Sequence, residues 1–367
     1  MWLFTAFALV LLVQLYFYLF VFGKYAWRDN SQGPSDHRGV SVVIAARNEQ
    51  KNLSENLKAI AGQVYPDFEI IVVDDGSTDN TPEILERFEE EHSSKGRPVH
   101  VLTIAPEESR GKKFALARGI EKAEKEIVLV TDADCAPSSA RWIERMAGTM
   151  SEKREIVLGY GPYSKIKGSF VNKLVRYETL LTAVQYFSYA LHGYPYMGVG
   201  RNMAYLKFLY DRAGGFARHE HVKSGDDDLF VDEVANARNT AICDHPDTFM
   251  FSKPKRRLGD WVRQKRRHLT SASHYRKSQQ ARLTLFYLSQ IGFYILGIGL
   301  AFSGSHNLLL GLLITLRFAS FYLALWPSAK KLDEKDLFPL APLYEISVIF
   351  MQLYVFVFNK LSPPKHW

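Results

Sequence analysis

The stretch Val128-Leu129-Val130-Thr131-Asp132-Ala133-Asp134 runs from apolar residues directly into two aspartates that stand one residue apart. A short apolar run bounded by polar residues is typical of a buried strand in a parallel sheet. Open α/β sheets bind ligands beyond the carboxyl ends of their strands, where Asp132 and Asp134 would lie. Two carboxylates with this spacing can share one divalent cation, which can in turn bind a diphosphate. The pair also occurs by chance in loops, so partners elsewhere must support it.

Three segments upstream also have the composition of buried strands: Val40 to Ala46, Phe68 to Val73 and Val99 to Ile104. The polar stretch after each of the first two leads into a segment with helical character. Asn48 is the predicted cap of the first helix, which runs to about Ile60. This alternation predicts an α/β fold with a mostly parallel sheet flanked by helices, in which right-handed crossovers bring the strand ends to one edge.

Polar residues follow these strands as well. Asp75 comes after the second strand and should face the same crevice as the two aspartates of the opening stretch, whereas one of Asp74 and Asp75 is expected to serve only the turn. The third strand precedes Gly111-Lys112-Lys113, a basic beginning of a helix, where backbone amides and ammonium groups suit an anion. For Lys113, a solvated basic face is an equally good interpretation.

Both ends of the 367-residue chain are apolar. Residues Trp2 to Phe22 contain no charged residue and are long enough to cross a bilayer as a retained helix, rather than as a cleaved signal. Similar stretches at about 283–302, 308–325 and 337–358 predict three more spanning helices. Within them, Arg317 and Glu345 are costly in lipid and are predicted either to pair or to contact a lipid substrate.

Basic clusters follow the first apolar stretch, precede the second and separate the third from the fourth. All of these clusters lie on one side of the membrane if the amino terminus is outside the cell. This orientation predicts a multi-pass protein of the inner or cell membrane, with its central segment in the cytoplasm. Cys135 and Cys243 are then predicted to be free thiols. The net charge is +7, and the excess basic residues lie at 253–277 and beside the apolar stretches. This distribution favours binding to anionic lipid headgroups or to a phosphate-bearing ligand over binding to nucleic acid.

Four strings carry a specific resemblance. They are Val-Val-Ile-Ala-Ala-Arg-Asn-Glu at 42–49, Ile-Val-Val-Asp-Asp-Gly-Ser-Thr-Asp at 71–79, Gly-Lys-Lys-Phe-Ala-Leu at 111–116 and Thr-Asp-Ala-Asp at 131–134. In this order they resemble the nucleotide-sugar half of the family-2 inverting glycosyltransferases with the GT-A fold. Each string is weak alone, but their order and spacing together are a strong signal. The resemblance spans about residues 38 to 270.

The family pattern continues downstream, with departures. Gly198-Val199-Gly200-Arg201-Asn202-Met203-Ala204 resembles its acceptor-side segment, and Ser224-Gly225-Asp226-Asp227-Asp228-Leu229 resembles its Thr-Glu-Asp-x-Asp-Leu motif, with Gly225 in place of Glu. Gln264-Lys265-Arg266-Arg267-His268 approximates Gln-x-x-Arg-Trp, with His268 in place of Trp. The same run also fits a basic amphipathic helix at a membrane interface.

The resemblance implies a role for each matched residue. Asp226 is the implied catalytic base, with Asp227 as the choice if the register slides by one residue. Asp134, with help from Asp132, would hold Mg²⁺ or Mn²⁺. The implied nucleotide-sugar ligands are Glu49, Asp75, Lys112, Asp132, Gln264 and Arg267, and the acceptor-side residues are Gly200, Asn202 and His268.

The leading hypothesis is a metal-dependent, membrane-bound hexosyltransferase. It would move a sugar from a nucleoside-diphosphate sugar, with UDP favoured, to a lipid or membrane-associated saccharide on the cytoplasmic face. A processive polysaccharide synthase is the runner-up, because four spanning helices are few for a polymer channel. A metal-dependent nucleotidyltransferase and a non-catalytic membrane scaffold are alternatives of other classes.

The predicted domains follow from these patterns. They are a transmembrane helix at 1–23, a linker at 24–39, the glycosyltransferase domain at 40–252, a basic interfacial segment at 253–280 and a membrane region with about three helices at 281–367.

Overall fold

A computed structural model of the chain describes residues 2–29, 38–93, 98–222, 224–304 and 307–362. The chain divides into two compact units. The sheet unit comprises Asn30–Lys165 and Gly193–Pro254, and the helical unit comprises Met1–Asp29, Ile166–His192 and Lys255–Trp367. Half of the predicted linker at 24–39, residues 30–37, lies outside the described part of the chain.

The sheet unit contains the strands β1 (Val40–Ala46), β2 (Phe68–Asp75), β3 (Val99–Ile104), β4 (Ile127–Asp132), β5 (Cys135–Pro137), β6 (Ile156–Gly159), β7 (Met203–Leu206), β8 (Thr240–Cys243) and β9 (Met250–Ser252). Seven of them form one sheet in the order β3-β2-β1-β4-β7-β6-β8, and β5 pairs with β9. Within the large sheet β7 runs antiparallel to β4 and β6, while the other neighbouring pairs are parallel. The predicted mostly parallel sheet is therefore confirmed.

The register of the three central strands brings their ends to the same level. Asp132 of β4 lies opposite Ala45 of β1, and the next residue, Ala46, lies opposite Asp74 of β2. Since these strands are parallel, the loops that leave them all begin at one edge of the sheet. The polar residues that the sequence places after the strands are thus gathered at that edge.

Helices cover this sheet. They are α3 (Gln50–Ala61), α4 (Thr81–Ser93), α5 (Lys112–Lys122), α6 (Trp142–Gly148), α8 (Lys207–Ala213) and α9 (Asp228–Val234). The core between α3, α4, α6 and one face of the sheet is apolar, with Trp142 fully buried. The indole N–H of Trp142 donates to Asn202 Oδ1 at 2.9 Å, so even this polar atom has a partner.

Gly119 allows α5 to pack closely on the sheet. A Cβ atom at this position would lie 2.5 Å from Val43 Cγ1 and 3.0 Å from Val73 Cγ2, closer than packed carbon atoms approach. Both valines are fully buried in β1 and β2, so neither has free space to move into. A side chain at position 119 would therefore push α5 away from the strands, and with it Lys112 at the start of the helix.

Asn48 does not cap α3, which corrects the prediction. The helix begins at Gln50, and its N-cap residue is Glu49. Asn48 instead adopts the left-handed conformation, with φ of 55°, which asparagine tolerates better than most residues. Its side-chain Oδ1 accepts a hydrogen bond from the N–H of Thr78 at 2.8 Å, and so joins the loop after β1 to the loop after β2.

The helical unit contains α1 (Trp2–Leu15), a π-helical segment (Tyr16–Phe22), α2 (Gly23–Ala26), α7 (Phe170–Leu191), α10 (Leu258–Ala272), α11 (Lys277–Ser303), α12 (Asn307–Lys331) and α13 (Ala341–Leu361). Among the described residues, four helical segments are long and apolar enough to cross a membrane: Trp2–Ala26, Lys277–Ser303, Leu308–Lys331 and Lys335–Leu361. They match the four predicted spans. Helix α7 packs with them, which the apolar patterns of the sequence do not predict.

Arg317 and Glu345, the two ionisable residues singled out in the predicted spans, pair with each other. Arg317 Nη2 lies 2.5 Å from Glu345 Oε1, and both side chains are essentially inaccessible to solvent. Glu345 also accepts hydrogen bonds from Tyr18, Gln290 and Tyr294 at 2.6 to 3.0 Å. Because these residues come from all four apolar segments, one buried network ties the segments together.

Aromatic rings complete the surroundings of this ion pair. The guanidinium carbon of Arg317 lies between 4.9 and 5.9 Å from the centres of five rings, which belong to Tyr18, Phe293, Tyr294, Phe318 and Phe321. Such rings attract a cation through the negative potential of their faces. The charge of Arg317 is thus compensated within the protein.

A substitution at Gly119 should test the close packing of α5. We expect Gly119→Val to lower the stability of the sheet unit by about 1–3 kcal/mol, because the new side chain overlaps two buried valines. Thermal unfolding of the purified chain in detergent measures this as a lower apparent Tm. Gly259→Ala is the matched control, since a Cβ atom there meets no atom within 4 Å. Equal melting of the two variants would contradict this packing.

The buried ion pair can be tested with single and double substitutions. We expect Glu345→Leu to cost about 3–5 kcal/mol, because it leaves the Arg317 guanidinium buried without its counter-charge. The double variant Arg317→Met with Glu345→Leu should be less destabilised than Glu345→Leu alone, because no unpaired charge remains. Apparent Tm in detergent is measured for the wild type, for Arg317→Met and Glu345→Leu alone, and for the double variant. Additive losses in the double variant would show that the two side chains act independently.

Candidate active site

The acid pair at the end of β4 can hold a metal ion. Carboxylate oxygens of Asp132 and Asp134 and the sulfur of Cys135 all lie within 4.8 Å of one another. Burial raises the pKa of the Cys135 thiol well above its ordinary value, and Cys135 Sγ donates to Asp134 Oδ1 at 3.3 Å. The donors available are therefore two carboxylates, which are hard oxygen ligands and fit Mg²⁺ or Mn²⁺.

The electrostatics of Asp134 favour a cation. Burial, followed by the charge of Asp132, raises the pKa of Asp134 above its ordinary value. Ionising the second carboxylate is thus unfavourable until positive charge arrives. A divalent ion between the two side chains would supply that charge, so the acid pair is suited to bind one.

Lys112 lies between two acids of the site. Its ammonium nitrogen is 2.6 Å from Asp132 Oδ1 and 3.2 Å from Asp226 Oδ2. Burial opposes the charge of this ammonium, but Asp132, Asp226 and Asp227 together raise the pKa of Lys112 well above its ordinary value. The side chain is therefore cationic at neutral pH and links the end of β4 to the loop before α9.

Asp226 and Asp227 have different surroundings. Asp227 caps α9: its Oδ1 accepts from the N–H of Asp228 at 2.8 Å, and its Oδ2 accepts from the N–H of Gly200 at 2.7 Å. Burial, then the charges of Asp226 and Asp228, raises the pKa of Asp227 to about 7. Both oxygens of Asp227 thus already have backbone donors, which leaves Asp226 as the more available carboxylate.

Asp226 is held in its ionised form. Burial alone would raise the pKa of this carboxyl group, but the neighbouring Lys112 ammonium more than offsets that effect and keeps the pKa below its ordinary value. A Cβ atom placed on Gly200 would lie 3.4 Å from Asp226 Oδ2. Gly200 therefore leaves space directly beside this carboxylate, which an acceptor hydroxyl group would need.

Lys113 has a structural task that the sequence analysis missed. Its ammonium group donates to the carbonyl oxygens of His219, Val222 and Ser224 at 2.7 to 2.8 Å. These residues come just before Asp226, so Lys113 fixes the segment that presents the acid. The side chain is buried, which excludes the solvated face that the sequence left open. Two adjacent lysines gave no sign of which one would face the acids.

The loops after β1 and β2 form the other side of this edge. Asp75 is buried, and burial raises its pKa, while the Ser109 hydroxyl group and the Arg47 guanidinium act in the opposite direction. Arg47 Nη1 lies 3.8 Å from Asp75 Oδ2. Glu49 follows in the same loop, and its Oε2 accepts a hydrogen bond from Asn52 at 2.6 Å.

Asp74 and Asp75 divide their tasks as the sequence analysis expected. Asp74 Oδ1 accepts from the N–H of Ser77 at 3.2 Å, and also from the Ser77 hydroxyl group, so Asp74 serves the turn. Asp75 makes no such turn contact and is the member of the pair that stays a candidate ligand.

Asn202 is fully buried and bonds only to protein groups. Its amide nitrogen donates to the carbonyl oxygens of Tyr160 and Thr248, each at 2.7 Å, and its oxygen accepts from Trp142. This side chain therefore fixes the start of β7. The acceptor-side roles of Gly200 and Asn202 stay predictions; the hydrogen bonds of Asn202 show that its side chain positions its neighbours.

Arg201, which lies between Gly200 and Asn202, was not predicted to belong to the site. Its guanidinium carbon lies 4.6 Å from the centre of the Tyr163 ring, and Nη2 donates to the carbonyl oxygen of Gly161. Burial and Asp132 raise the pKa of Asp134, and the charge of Arg201 partly offsets this rise, so Arg201 contributes positive potential to the acid pair. A single arginine in a glycine-rich segment was the only signal in the sequence.

Gln264, Arg267 and His268 lie on α10 of the helical unit. Helix α10 is fixed within that unit, where Lys265 Nζ lies 2.6 Å from Glu178 Oε2 and Arg266 Nε donates to Asn359 Oδ1 at 2.9 Å. Gln264 and Arg267 are half-buried, and the side chain of His268 lies outside the described part of the structure. Their assigned roles stay predictions.

Comparison with known proteins agrees with this geometry. Residues 41–211 match the family model described as glycosyl transferase family 2. The mannosyltransferase PcManGT from Pyrobaculum calidifontis, solved in complex with GDP-Man and Mn²⁺, superposes with a TM-score of 0.59. It is 20% identical, and the alignment covers 93% of this chain and 99% of that one. The match shows that the two chains share a fold.

Two curated relatives match shorter segments. The poly-β-1,6-N-acetyl-D-glucosamine synthase of Staphylococcus epidermidis is 37% identical over 103 residues, which are 27% of this chain and 23% of the relative. Glycosyltransferase AglE of Haloferax volcanii is 34% identical over 114 residues, which are 30% of this chain and 35% of the relative. The chain therefore matches only a minor part of each relative's length.

The raised pKa of Asp227 predicts a pH effect on stability. An unfolded aspartate titrates near pH 3.9, whereas Asp227 titrates at about 7 in the folded chain. Between these values the folded state binds more protons, so stability falls as the pH rises. Asp227→Asn cannot ionise, and its apparent Tm should fall less than that of the wild type between about pH 5 and about pH 8.

Differential scanning fluorimetry in detergent measures this pH dependence. The exposed residue Asp211 gives the control, and Asp211→Asn should follow the wild-type curve. An Asp227→Asn curve parallel to that of the wild type would contradict the raised pKa.

Proposed function

Residues 41–211 belong to glycosyltransferase family 2, and from this premise we propose that the chain is a membrane-bound inverting glycosyltransferase. It moves a sugar from a nucleoside-diphosphate sugar, with UDP favoured, to a lipid or membrane-associated saccharide. Four helices that are apolar enough to span a membrane support a membrane location. The cytoplasmic face is the proposed site of the reaction, because the basic clusters beside those helices favour that orientation.

One observation carries this proposal. The Lys112 ammonium contacts both Asp132, which belongs to the predicted metal pair, and Asp226, a separate buried acid at the same edge of the sheet. A glycosyl transfer needs both functions close together, since charge must be neutralised on the leaving diphosphate while a proton is removed from the acceptor. Asp132 with Asp134 would meet the first need, and Asp226 would meet the second.

Each proposed chemical role belongs to a named group of the chain. Asp134, with Asp132, would hold Mg²⁺ or Mn²⁺, which when bound neutralises charge on the leaving diphosphate. The acceptor oxygen forms a bond to the anomeric carbon from the face opposite the diphosphate, whose bond to that carbon breaks. Asp226 takes the proton of the acceptor hydroxyl group. The products are the inverted glycoside, a nucleoside diphosphate and a protonated Asp226.

Specificity for the nucleotide is proposed to come from the loops after β1 and β2. Asp75, buried at the end of β2, would accept hydrogen bonds from the base or ribose, with Glu49 beside it. Gln264 and Arg267 would bind the diphosphate from α10. His268 would take the acceptor-side place that Trp has in the family, where an imidazole can stack or donate a hydrogen bond.

A processive synthase is the second candidate. The observation that favours it is 37% identity, over 103 residues, to a poly-β-1,6-N-acetyl-D-glucosamine synthase. Single transfer is favoured here because His268 replaces the aromatic residue of the family motif, and because four spanning helices are few for a channel. Product analysis separates the two, since a synthase makes a ladder of lengths and a single-transfer enzyme makes one product.

The proposal can be tested by nucleoside-diphosphate release from UDP- and GDP-sugars, using the full chain in detergent with Mg²⁺ or Mn²⁺ and then with EDTA. We expect one donor to turn over, and EDTA or Asp134→Ala to abolish its turnover. Asp226→Asn should lower kcat by about 10²–10⁴ while donor binding persists, because only the base is lost. The exposed acid Asp211 provides the control variant Asp211→Asn, which should keep wild-type activity.

Two outcomes would count against this proposal. Full activity of Asp226→Asn would indicate chemistry that needs no base, as in a nucleotidyltransferase. A folded wild-type protein that binds none of the nucleoside diphosphates in calorimetry would favour a non-catalytic scaffold.

A further inference from the structure

The Lys112 ammonium lies where it can contact either the carboxylate of Asp132 or a bound diphosphate. We propose that it is an internal counter-cation, which holds Asp132 in the free protein and moves to the diphosphate when the donor and its metal ion bind. A divalent cation would then bind weakly to the free protein and tightly only together with the nucleoside diphosphate. This inference rests on the proposed function and describes how its site is regulated.

The first support is the position of Lys112 in its helix. It is the first residue of α5, an 11-residue helix, and therefore lies at the positive end of the helix dipole. Free backbone N–H groups at such an end repel an ammonium group and attract anions. The position is favourable only while an anion is close, and Asp132 and Asp226 supply that anion in the free protein.

The second support is direct competition at Asp132. The Lys112 ammonium nitrogen lies 2.6 Å from Asp132 Oδ1, and Asp132 is half of the acid pair that would hold the metal. A divalent ion on this carboxylate would be only a few ångströms from the ammonium charge, and the two would repel each other. Metal and ammonium therefore exclude each other unless new negative charge arrives, which a diphosphate supplies.

The third support is freedom to move, in which Lys112 differs from its neighbour. The Lys112 side chain is 34% exposed, whereas the Lys113 ammonium is buried and donates to three backbone carbonyl groups. A Cβ atom at the preceding Gly111 would meet nothing within 4 Å, so there is open space beside the lysine. The flexible stem of Lys112 can thus carry its charge from the carboxylates to a diphosphate. The same movement releases Asp226 to accept a proton.

Mn²⁺ titration tests the inference without measuring activity. Electron paramagnetic resonance of free Mn²⁺ gives the affinity of the full chain in detergent, first alone and then with UDP or GDP. We expect the wild type to bind Mn²⁺ at least about tenfold more tightly with nucleotide, and Lys112→Met to bind Mn²⁺ alone about tenfold more tightly than the wild type. Asp134→Ala defines the background binding that does not involve this site.

Two further variants serve as controls. Lys122→Met removes the same charge from the last residue of α5 and should leave Mn²⁺ binding unchanged. Lys112→Arg keeps the charge and should keep weak binding of Mn²⁺ alone, and it provides a second test if Lys112→Met does not fold.

Three results would overturn the inference. An unchanged affinity of Lys112→Met for Mn²⁺ alone, or tight binding by Lys112→Arg, would remove the counter-cation role. Equal Mn²⁺ affinity of the wild type with and without a bound nucleotide would remove the exchange. If no nucleoside diphosphate binds to the wild type at all, the proposed function fails together with the exchange, while the metal-only comparison of the variants still decides the role of Lys112.

Discussion

The contact of one ammonium group with two carboxylates is the interaction on which the candidate site depends. Asp132, Asp226 and Asp227 lie close enough to Lys112 that all three raise its pKa. Without a cation among them, partly buried acids would repel each other and pay the full cost of desolvation. Lys112 therefore allows the sheet edge to hold carboxylates in the free protein, at the place where we propose that a metal ion and a diphosphate bind.

That contact exists because several backbone constraints agree. The register of β1, β2 and β4 aligns the ends of three parallel strands. Gly119 lets α5 approach these strands closely enough to bring Lys112 to the same edge. Lys113 then fixes the segment before Asp226 through three carbonyl groups. Neighbouring lysines thus have distinct tasks, since one positions an acid and the other neutralises it.

The sequence predicts the parts of this arrangement that depend on local pattern. Strands β1 and β3 have the predicted bounds, and β2 and β4 differ only at their ends, because each is a mainly apolar run bounded by polar residues. The strands β6, β7 and β8 have four residues each, too few for such a pattern, and the reversed direction of β7 depends on pairing with distant strands. The packing of α7 with the terminal helices depends on contacts equally remote in sequence.

The site residues also divide into those that a local sequence pattern predicts and those whose contacts are remote in sequence. Aspartates after strands were found, because a strand end followed by an acid is visible in the sequence. The carbonyl contacts of Lys113 and the contact of Arg201 with Tyr163 were not, since their partners are remote in sequence. The predicted capping by Asn48 was wrong because the turn after β1 requires a residue in the left-handed conformation, and the side chain then reaches the loop after β2.

Two of the ion pairs in this chain, Arg317 with Glu345 and Lys112 with Asp132, differ in how firmly their acids are held. Glu345 uses both carboxylate oxygens for protein donors, and the Arg317 guanidinium is enclosed by aromatic rings with no exposed surface. Lys112 and Asp132 are each about one-third exposed, at 34% and 31% of their side-chain surface. Within the described residues, an incoming ion must displace four donors to reach Glu345 and one partly exposed ammonium group to reach Asp132. These two acids therefore differ in the number of donors fixed on their oxygens as well as in their burial.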